Sequence, residues 1–93
     1  MYEQKRLEAI VRGYVQGVGF RYWVREQARW LNLKGYVRNL PDRTVEVVAE
    51  GPENDLLSLS SLLHEGPLTA SIKEVDTKWL SSSGRFRGFE VRF

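Results

Sequence analysis

A glycine-rich segment early in the chain, residues 13–21, carries the residue types best suited to chemistry. Three of its first seven positions are glycine, and it follows a short apolar run that ends at Val11. A loop of this kind at the start of a helix directs several unpaired N–H groups at one point, where the helix dipole adds positive potential. Arg21 then supplies a planar, permanently charged donor suited to bidentate contact with phosphoryl oxygens. The segment therefore predicts an anion site, most naturally for a phosphate.

The glycine pattern alone is a weak signal, because many such loops are only tight connections. It lacks the Gly-Lys-Ser/Thr ending of a P-loop, and no acidic residue follows at the spacing of a dinucleotide site. A second segment, residues 35–39, reads as a strand that ends in Asn39. An asparagine there is usually a turn residue that bonds the local backbone. Its neutral amide could equally hold a water, since it both donates and accepts hydrogen bonds.

Taken together, the two segments resemble the acylphosphatase family. The resemblance rests on VQGVGFR at residues 15–21 and GYVRN at residues 35–39, and it runs in order and spacing from about Leu7 to Phe93. Further matches are residues 44–46, Glu50 and Gly51, Gly66 and Pro67, and residues 89–93. Two positions depart from the family pattern. Tyr14 stands where the family usually has arginine, and Arg43 where it usually has glycine, which predicts a different turn shape beside Asn39.

The resemblance implies hydrolysis of acyl phosphates without a metal or any other cofactor. It places the phosphate-binding arginine at Arg21 and the water-orienting asparagine at Asn39. The phosphate-binding backbone N–H groups would be those of Gln16, Gly17, Val18, Gly19, Phe20 and Arg21, with Gln16 acting through its main chain. The leaving group is a carboxylate, a weak base, so the reaction needs little general-acid help and no catalytic histidine. Inorganic phosphate would be both product and inhibitor.

Apolar periodicity predicts the elements that must position these groups. Strands are predicted at residues 7–15, 35–39, 44–49, 70–80 (with a bulge near Ile72) and 89–93, and helices from Phe20 and from Gly51 and Pro52 to Gly66. The buried stripe of the first helix is Phe20, Val24, Ala28 and Leu31. This order predicts an α+β fold, a ferredoxin-like split β-α-β sandwich. It would have an antiparallel sheet of four to five strands with two helices on one face. In that fold the first loop and the end of the second strand lie side by side, which brings Arg21 and Asn39 around one anion.

Composition bounds the remaining expectations. The 93 residues suit one domain, 1–93, with residues 1–6 outside the resemblance as a tail that is either ordered or frayed. There is no cysteine and a single histidine, His64, so we expect neither disulfides nor a metal site. The polar start and the absence of a long apolar run indicate a cytoplasmic protein without membrane association. A monomer is the default for so small an enzyme, and the chain's end at Phe93 without a linker favours an independent one.

Charge favours anionic substrates, and two other functions remain open. Residues 1–43 hold nine Lys/Arg and four Asp/Glu (+5), residues 44–93 hold five and eight (−3), and the sum is the net +2. One alternative is an RNA-binding module, because RNA-recognition domains share this topology. Those domains expose aromatics on their central strands, whereas strand one offers only Tyr14 and strand three none. We therefore expect no nucleic-acid partner. The other alternative is a non-catalytic anion-binding module.

Overall fold

The computed structural model describes residues 3–93, which form five strands and two helices. In chain order these are β1 (Gln4–Tyr14), α1 (Phe20–Trp30), β2 (Lys34–Asn39), β3 (Val45–Pro52), α2 (Glu53–Glu65), β4 (Ser71–Ser81) and β5 (Phe89–Arg92). The strands form one sheet in the order β4-β1-β3-β2-β5. The helices contact each other and share one hydrophobic core with the sheet. The predicted α+β, ferredoxin-like fold is confirmed.

The sheet differs from the predicted antiparallel one at a single edge. All neighbouring strands are antiparallel except β2 and β5, which are parallel. The reason is topological: β4 and β5 lie on opposite edges, so residues 82–88, hereafter the strap, must cross the sheet before β5 begins. The strap is fixed by Glu50, whose carboxylate accepts hydrogen bonds from Ser82, Ser83 and Gly84.

The core follows the two periodicities of strand and helix. Alternate residues of the two central antiparallel strands are buried, namely Leu7, Ala9 and Val11 on β1 and Val45, Val47 and Ala49 on β3. They meet the apolar stripes of the helices, Phe20, Val24 and Ala28 on α1 and Leu56, Leu59 and Leu63 on α2. Burying each large side chain contributes about 1.5–3 kcal/mol. This core fixes where β1 ends and α1 begins.

The predicted bulge is confirmed. Arg12 pairs with Glu74 and Gly13 with Ile72, which leaves Lys73 as the extra residue of β4. Gly13 has φ +139°, and a side chain there would clash with the Ser71 carbonyl. The bulge therefore requires glycine at the point where β1 turns into the loop.

The ends of several elements differ from the prediction. The sequence left residues 1–6 either ordered or frayed; residues 4–6 are ordered, because they pair with residues 50–52 of β3, and residues 1 and 2 lie outside the described chain. Because this pairing extends β3 through Pro52, α2 begins at Glu53, with Pro52 in the preceding N-cap position. Within residues 3–93, neither helix has the length and apolar character needed to cross a bilayer.

Candidate functional site

The loop between β1 and α1 is anchored at both ends and open between them. Val15 and Phe20 are buried to within 2% and 1% exposure and hold its ends in the core. Gly17 and Gly19 have φ of +76° and +78°, and nothing lies within 4 Å of a side chain built at either. Backbone conformation, and not crowding, therefore requires glycine there. No side chain of residues 3–93 caps α1, so the N–H groups of its first turn remain available to a ligand.

Arg21 is held by the end of the chain. Its Nη1 donates a hydrogen bond of 3.2 Å to the Arg92 carbonyl, and its guanidinium carbon lies 4.7 Å from the centre of the Phe93 ring. None of the ion pairs in the described chain involves Arg21. Uncharged groups therefore position the guanidinium, and no carboxylate of the described chain forms an ion pair with it.

Asn39, the last residue of β2, presents an unsatisfied acceptor. Its Oδ1 is buried and has no hydrogen-bond partner in the described protein. A turn asparagine would bond the local backbone through this atom, so the turn interpretation does not account for it. A buried polar atom without a partner is costly unless a water or a ligand satisfies it.

Residues of the loop, Arg21 and Asn39 all line one pocket of about 500 Å³. It is lined by Gly13, Tyr14, Val15, Gln16, Gly17, Arg21, Asn39 and Arg43. Arg21 and Asn39, eighteen positions apart in sequence, thus face the same space. Val18, Gly19 and Phe20 do not line it: the Val18 carbonyl accepts a hydrogen bond from the Thr69 hydroxyl, and the Phe20 side chain lies in the core. Any contribution of these three residues comes from their main-chain N–H groups.

The side chain of Gln16 has a role that the sequence did not reveal. Its Nε2 donates hydrogen bonds of 3.0 Å to the Leu40 carbonyl and 2.9 Å to the Thr44 carbonyl. The predicted role was confined to its main chain. In addition, the side-chain amide connects the loop between β1 and α1 to the turn between β2 and β3, which follows Asn39. No signal in the sequence links Gln16 to these two carbonyls.

The β2–β3 turn is well braced. Leu40 N–H bonds the Thr44 carbonyl at 2.9 Å, and Arg43 N–H bonds the Leu40 carbonyl at 3.1 Å. Asp42 Oδ1 accepts from both the hydroxyl and the N–H of Thr44, and these bonds lower the pKa of the Asp42 carboxyl. Arg43 has φ +73°, the left-handed conformation that glycine adopts freely. Arg43 thus takes up a glycine-like conformation, and the difference in turn shape from the family stays a prediction.

A larger cleft, about 740 Å³, lies beside the N-terminal end of β2 and the strap. Its cations are Arg29, Lys34, Arg85, Arg87 and Arg92, against the single carboxylate of Glu90. The cleft is strongly basic, but it includes neither the glycine loop nor the unsatisfied Asn39. The residues suited to chemistry lie in the smaller pocket.

Comparison with known proteins finds similar sequences and a similar fold. A family model described as Acylphosphatase matches residues 7–91. An acylphosphatase of Salinibacter ruber is 47% identical over 89 residues, covering 96% of this chain and 94% of that protein. One from Thermobifida fusca is 47% identical over 90 residues, covering 97% and 99%. The crystal structure of acylphosphatase from Bacillus subtilis superposes with a TM-score of 0.92 at 35% identity, covering 96% of this chain and 99% of that one.

Proposed function

The chain belongs to the acylphosphatase family and hydrolyses acyl phosphates, and we propose that Asn39 orients the attacking water while the 16–21 loop and Arg21 hold the phosphoryl group. The water oxygen forms a bond to phosphorus as the bond from phosphorus to the acyl oxygen breaks. An acyl phosphate dianion and water thus give a carboxylate and dihydrogen phosphate. Both protons of the water finish on the phosphate, so the step is balanced without a metal or cofactor.

The protein's contribution is binding and electrostatic stabilisation. A carboxylate leaves readily, so the barrier depends mainly on placing a water in line and on dispersing charge over the equatorial oxygens. Main-chain N–H groups of the loop and the Arg21 guanidinium are donors fixed before the substrate arrives, which is what makes such groups effective. One donor of this kind contributes about 3 kcal/mol to lowering the barrier.

The observation that carries the proposal is the meeting of two unsatisfied groups in one pocket. Arg21 has no anionic partner in the described chain, and the Asn39 Oδ1 has no donor. A bound phosphoryl group supplies the missing anion. A water beside it supplies the missing donor, because it can donate to Oδ1 while directing a lone pair at phosphorus.

Four further expectations accompany this mechanism. Inorganic phosphate competes with substrate, because it presents the same oxygens to the loop. We expect the enzyme to act as a monomer, the default for an enzyme of 93 residues. It has no nucleic-acid partner and works in the cytoplasm, where a cysteine-free composition is suitable.

The decisive experiment measures phosphate release from acetyl phosphate by the purified chain, with p-nitrophenyl phosphate as an ester control. We expect hydrolysis of the anhydride only, and unchanged activity in excess chelator. Arg21→Lys keeps a charge but loses the planar fork, so its kcat/KM should fall about 100-fold or more. Arg12→Lys, which alters an arginine outside the pocket, is the matched control. Equal activity of the Arg21 variant and the control would refute the assigned role.

A further inference from the structure

The backbone of Arg43 is strained where glycine would not be. Its φ of +73° places the residue in the left-handed region, which costs an L-amino acid energy because Cβ crowds the following carbonyl. Arginine has no compensating local hydrogen bond of the kind that asparagine offers in this region. Strain of this sort persists only when surrounding structure enforces it, and it is often associated with function.

The surroundings do enforce it. The turn is closed at both ends by the Leu40–Thr44 and Arg43–Leu40 main-chain bonds, and Gln16 holds two of its carbonyls from the loop side. These contacts involve only the main chain of the turn, so they do not require an arginine at position 43. What needs an explanation is therefore the side chain.

Arg43 is one of the residues that line the pocket with Arg21 and Asn39, and it also lines the adjoining depression. Arg43 belongs to none of the ion pairs among residues 3–93. Arg12, which faces the adjoining depression with Arg43, is by contrast paired with Glu74 and Asp76 at 3.3 Å. The pocket is thus lined by two arginines that have no ion-pair partner among residues 3–93, one on α1 and one in the turn.

We propose that Arg43 is a second phosphoryl-binding guanidinium, which acts with Arg21 on the same anion. The inference rests on the proposed function and extends it. A phosphoryl dianion carries two negative charges, of which one guanidinium compensates half. The second cation completes the balance from the side of the pocket where Asn39 lies. Because it binds phosphoryl oxygens in substrate and product alike, it contributes affinity more than rate.

The test compares Arg43→Gly, Arg43→Asn and Arg43→Lys with the unchanged protein. Glycine and asparagine suit the left-handed conformation but remove the charge. Phosphate binding by calorimetry and its inhibition constant should each weaken about three- to tenfold, the KM for acetyl phosphate should rise in parallel, and kcat should stay within about twofold. The Arg43→Gly protein should also unfold at a higher temperature, because it loses the strain. Arg43→Lys should retain most of the affinity.

In Arg43→Gly the phosphate affinity should fall while the unfolding temperature rises. This combination distinguishes a binding role from damage to the fold, which would lower both. Arg12→Gln is the control, because it removes a nearby charge without touching the pocket. Unchanged phosphate affinity in Arg43→Gly, or an equal loss in Arg12→Gln, would overturn the inference. Loss of affinity in Arg43→Lys as complete as in Arg43→Gly would overturn it too. These failures leave the proposed function standing if Arg21→Lys shows the expected fall of about 100-fold or more in kcat/KM, whereas absence of acetyl phosphate hydrolysis by the unchanged protein would end both.

Discussion

Arg21 and Asn39 differ in how far their neighbours already satisfy them. The Arg92 carbonyl and the Phe93 ring hold the Arg21 guanidinium from the protein side. The Oδ1 of Asn39 has no such support from residues 3–93. The protein itself therefore positions Arg21, whereas in the proposed mechanism a bound water completes the hydrogen bonding of Asn39. Substitutions of Arg21 and of Asn39 should therefore have different effects on phosphate affinity and on kcat.

Replacing Asn39 with alanine separates water orientation from phosphate binding. We expect kcat to fall about 100-fold, since one preorganised hydrogen-bonding group in the transition state is lost. The phosphate inhibition constant should stay within about twofold, because the loop and Arg21 are intact. Steady-state kinetics with acetyl phosphate would measure both, with Asn54→Ala on the exposed start of α2 as control. A parallel loss of phosphate affinity would instead place Asn39 among the phosphate-binding groups.

For individual residues, the sequence predicted which residue types would form the site better than it predicted which groups their side chains contact. Glycine spacing and the following arginine indicated an anion loop, since those requirements are local. The Gln16 contacts were missed because their partners lie 24 and 28 positions away, on a turn whose place depends on the whole sheet. The left-handed backbone of Arg43 was not predicted either, because part of the bracing of its turn comes from the same distant residue, Gln16.

Among the elements, the loop and the β2–β3 turn form one unit through Gln16. Gln16→Glu would place a carboxylate against the Leu40 and Thr44 carbonyls, where two hydrogen bonds become repulsive contacts. At pH 7.5 we expect a loss of about 1–3 kcal/mol in the free energy of unfolding. The kcat/KM should fall about tenfold, because Asn39 and the loop lose their fixed separation.

At pH 5 the Gln16→Glu protein should regain part of its stability and of its kcat/KM, because the new carboxyl begins to protonate. Urea unfolding and kinetics at both pH values would measure it, with Gln27→Glu on α1 as control. A Gln16→Glu enzyme as stable and active as its parent would show that the loop and turn are positioned independently of this amide.

The strap depends on Glu50, which is only 4% exposed. Burial alone would raise the pKa of this carboxyl, but hydrogen bonds from Ser83, Gly84 and Ser82 together hold the pKa below its usual value. A lowered pKa in the folded state means that the ionised form stabilises the protein above the unfolded-state pKa of about 4.3. This contribution is lost as the pH falls through the folded-state value.

Glu50→Gln should therefore lower the free energy of unfolding by about 1–2 kcal/mol at pH 7. The difference from the unchanged protein should narrow from about pH 5 downward, as the native carboxylate is protonated. Denaturant titrations between pH 3 and pH 7 would follow this, with Glu65→Gln at the exposed end of α2 as control. A difference that stays constant across this range would mean that the charge of Glu50 does not hold the strap.

The elements themselves were largely predictable, and their ends were not. The alternation of Val and Ala identified β3, and the apolar stripe identified α1. A phase slip near Ile72 indicated the bulge. The predicted β3, by contrast, ended at Ala49, because Gly51 and Pro52 were assigned to the start of α2. The strand continues to Pro52 because the strap supplies the partners of the Glu50 carboxylate. The parallel pairing of β5 likewise depends on the strap's path.

For the whole molecule, the charge is unevenly divided in a way that favours anions. The segment with nine Lys/Arg and four Asp/Glu, residues 1–43, provides the loop, α1 and β2, which surround most of the pocket. Residues 44–93, with five Lys/Arg and eight Asp/Glu, supply β3, α2, β4 and β5. Long-range attraction should therefore raise the local concentration of anionic substrate at this end of the protein.

Ionic strength tests this directly. Since the Debye length shrinks from about 30 Å at 0.01 M salt to about 8 Å at 0.15 M, added sodium chloride should screen the attraction between substrate and distant arginines. We expect kcat/KM for acetyl phosphate to fall about threefold over that range, while kcat at saturation changes little, because bound substrate already contacts its donors. Arg43→Gly should show a shallower dependence than the unchanged protein. A kcat/KM independent of salt would mean that the charge division does not assist capture, and that contacts within the pocket alone determine it.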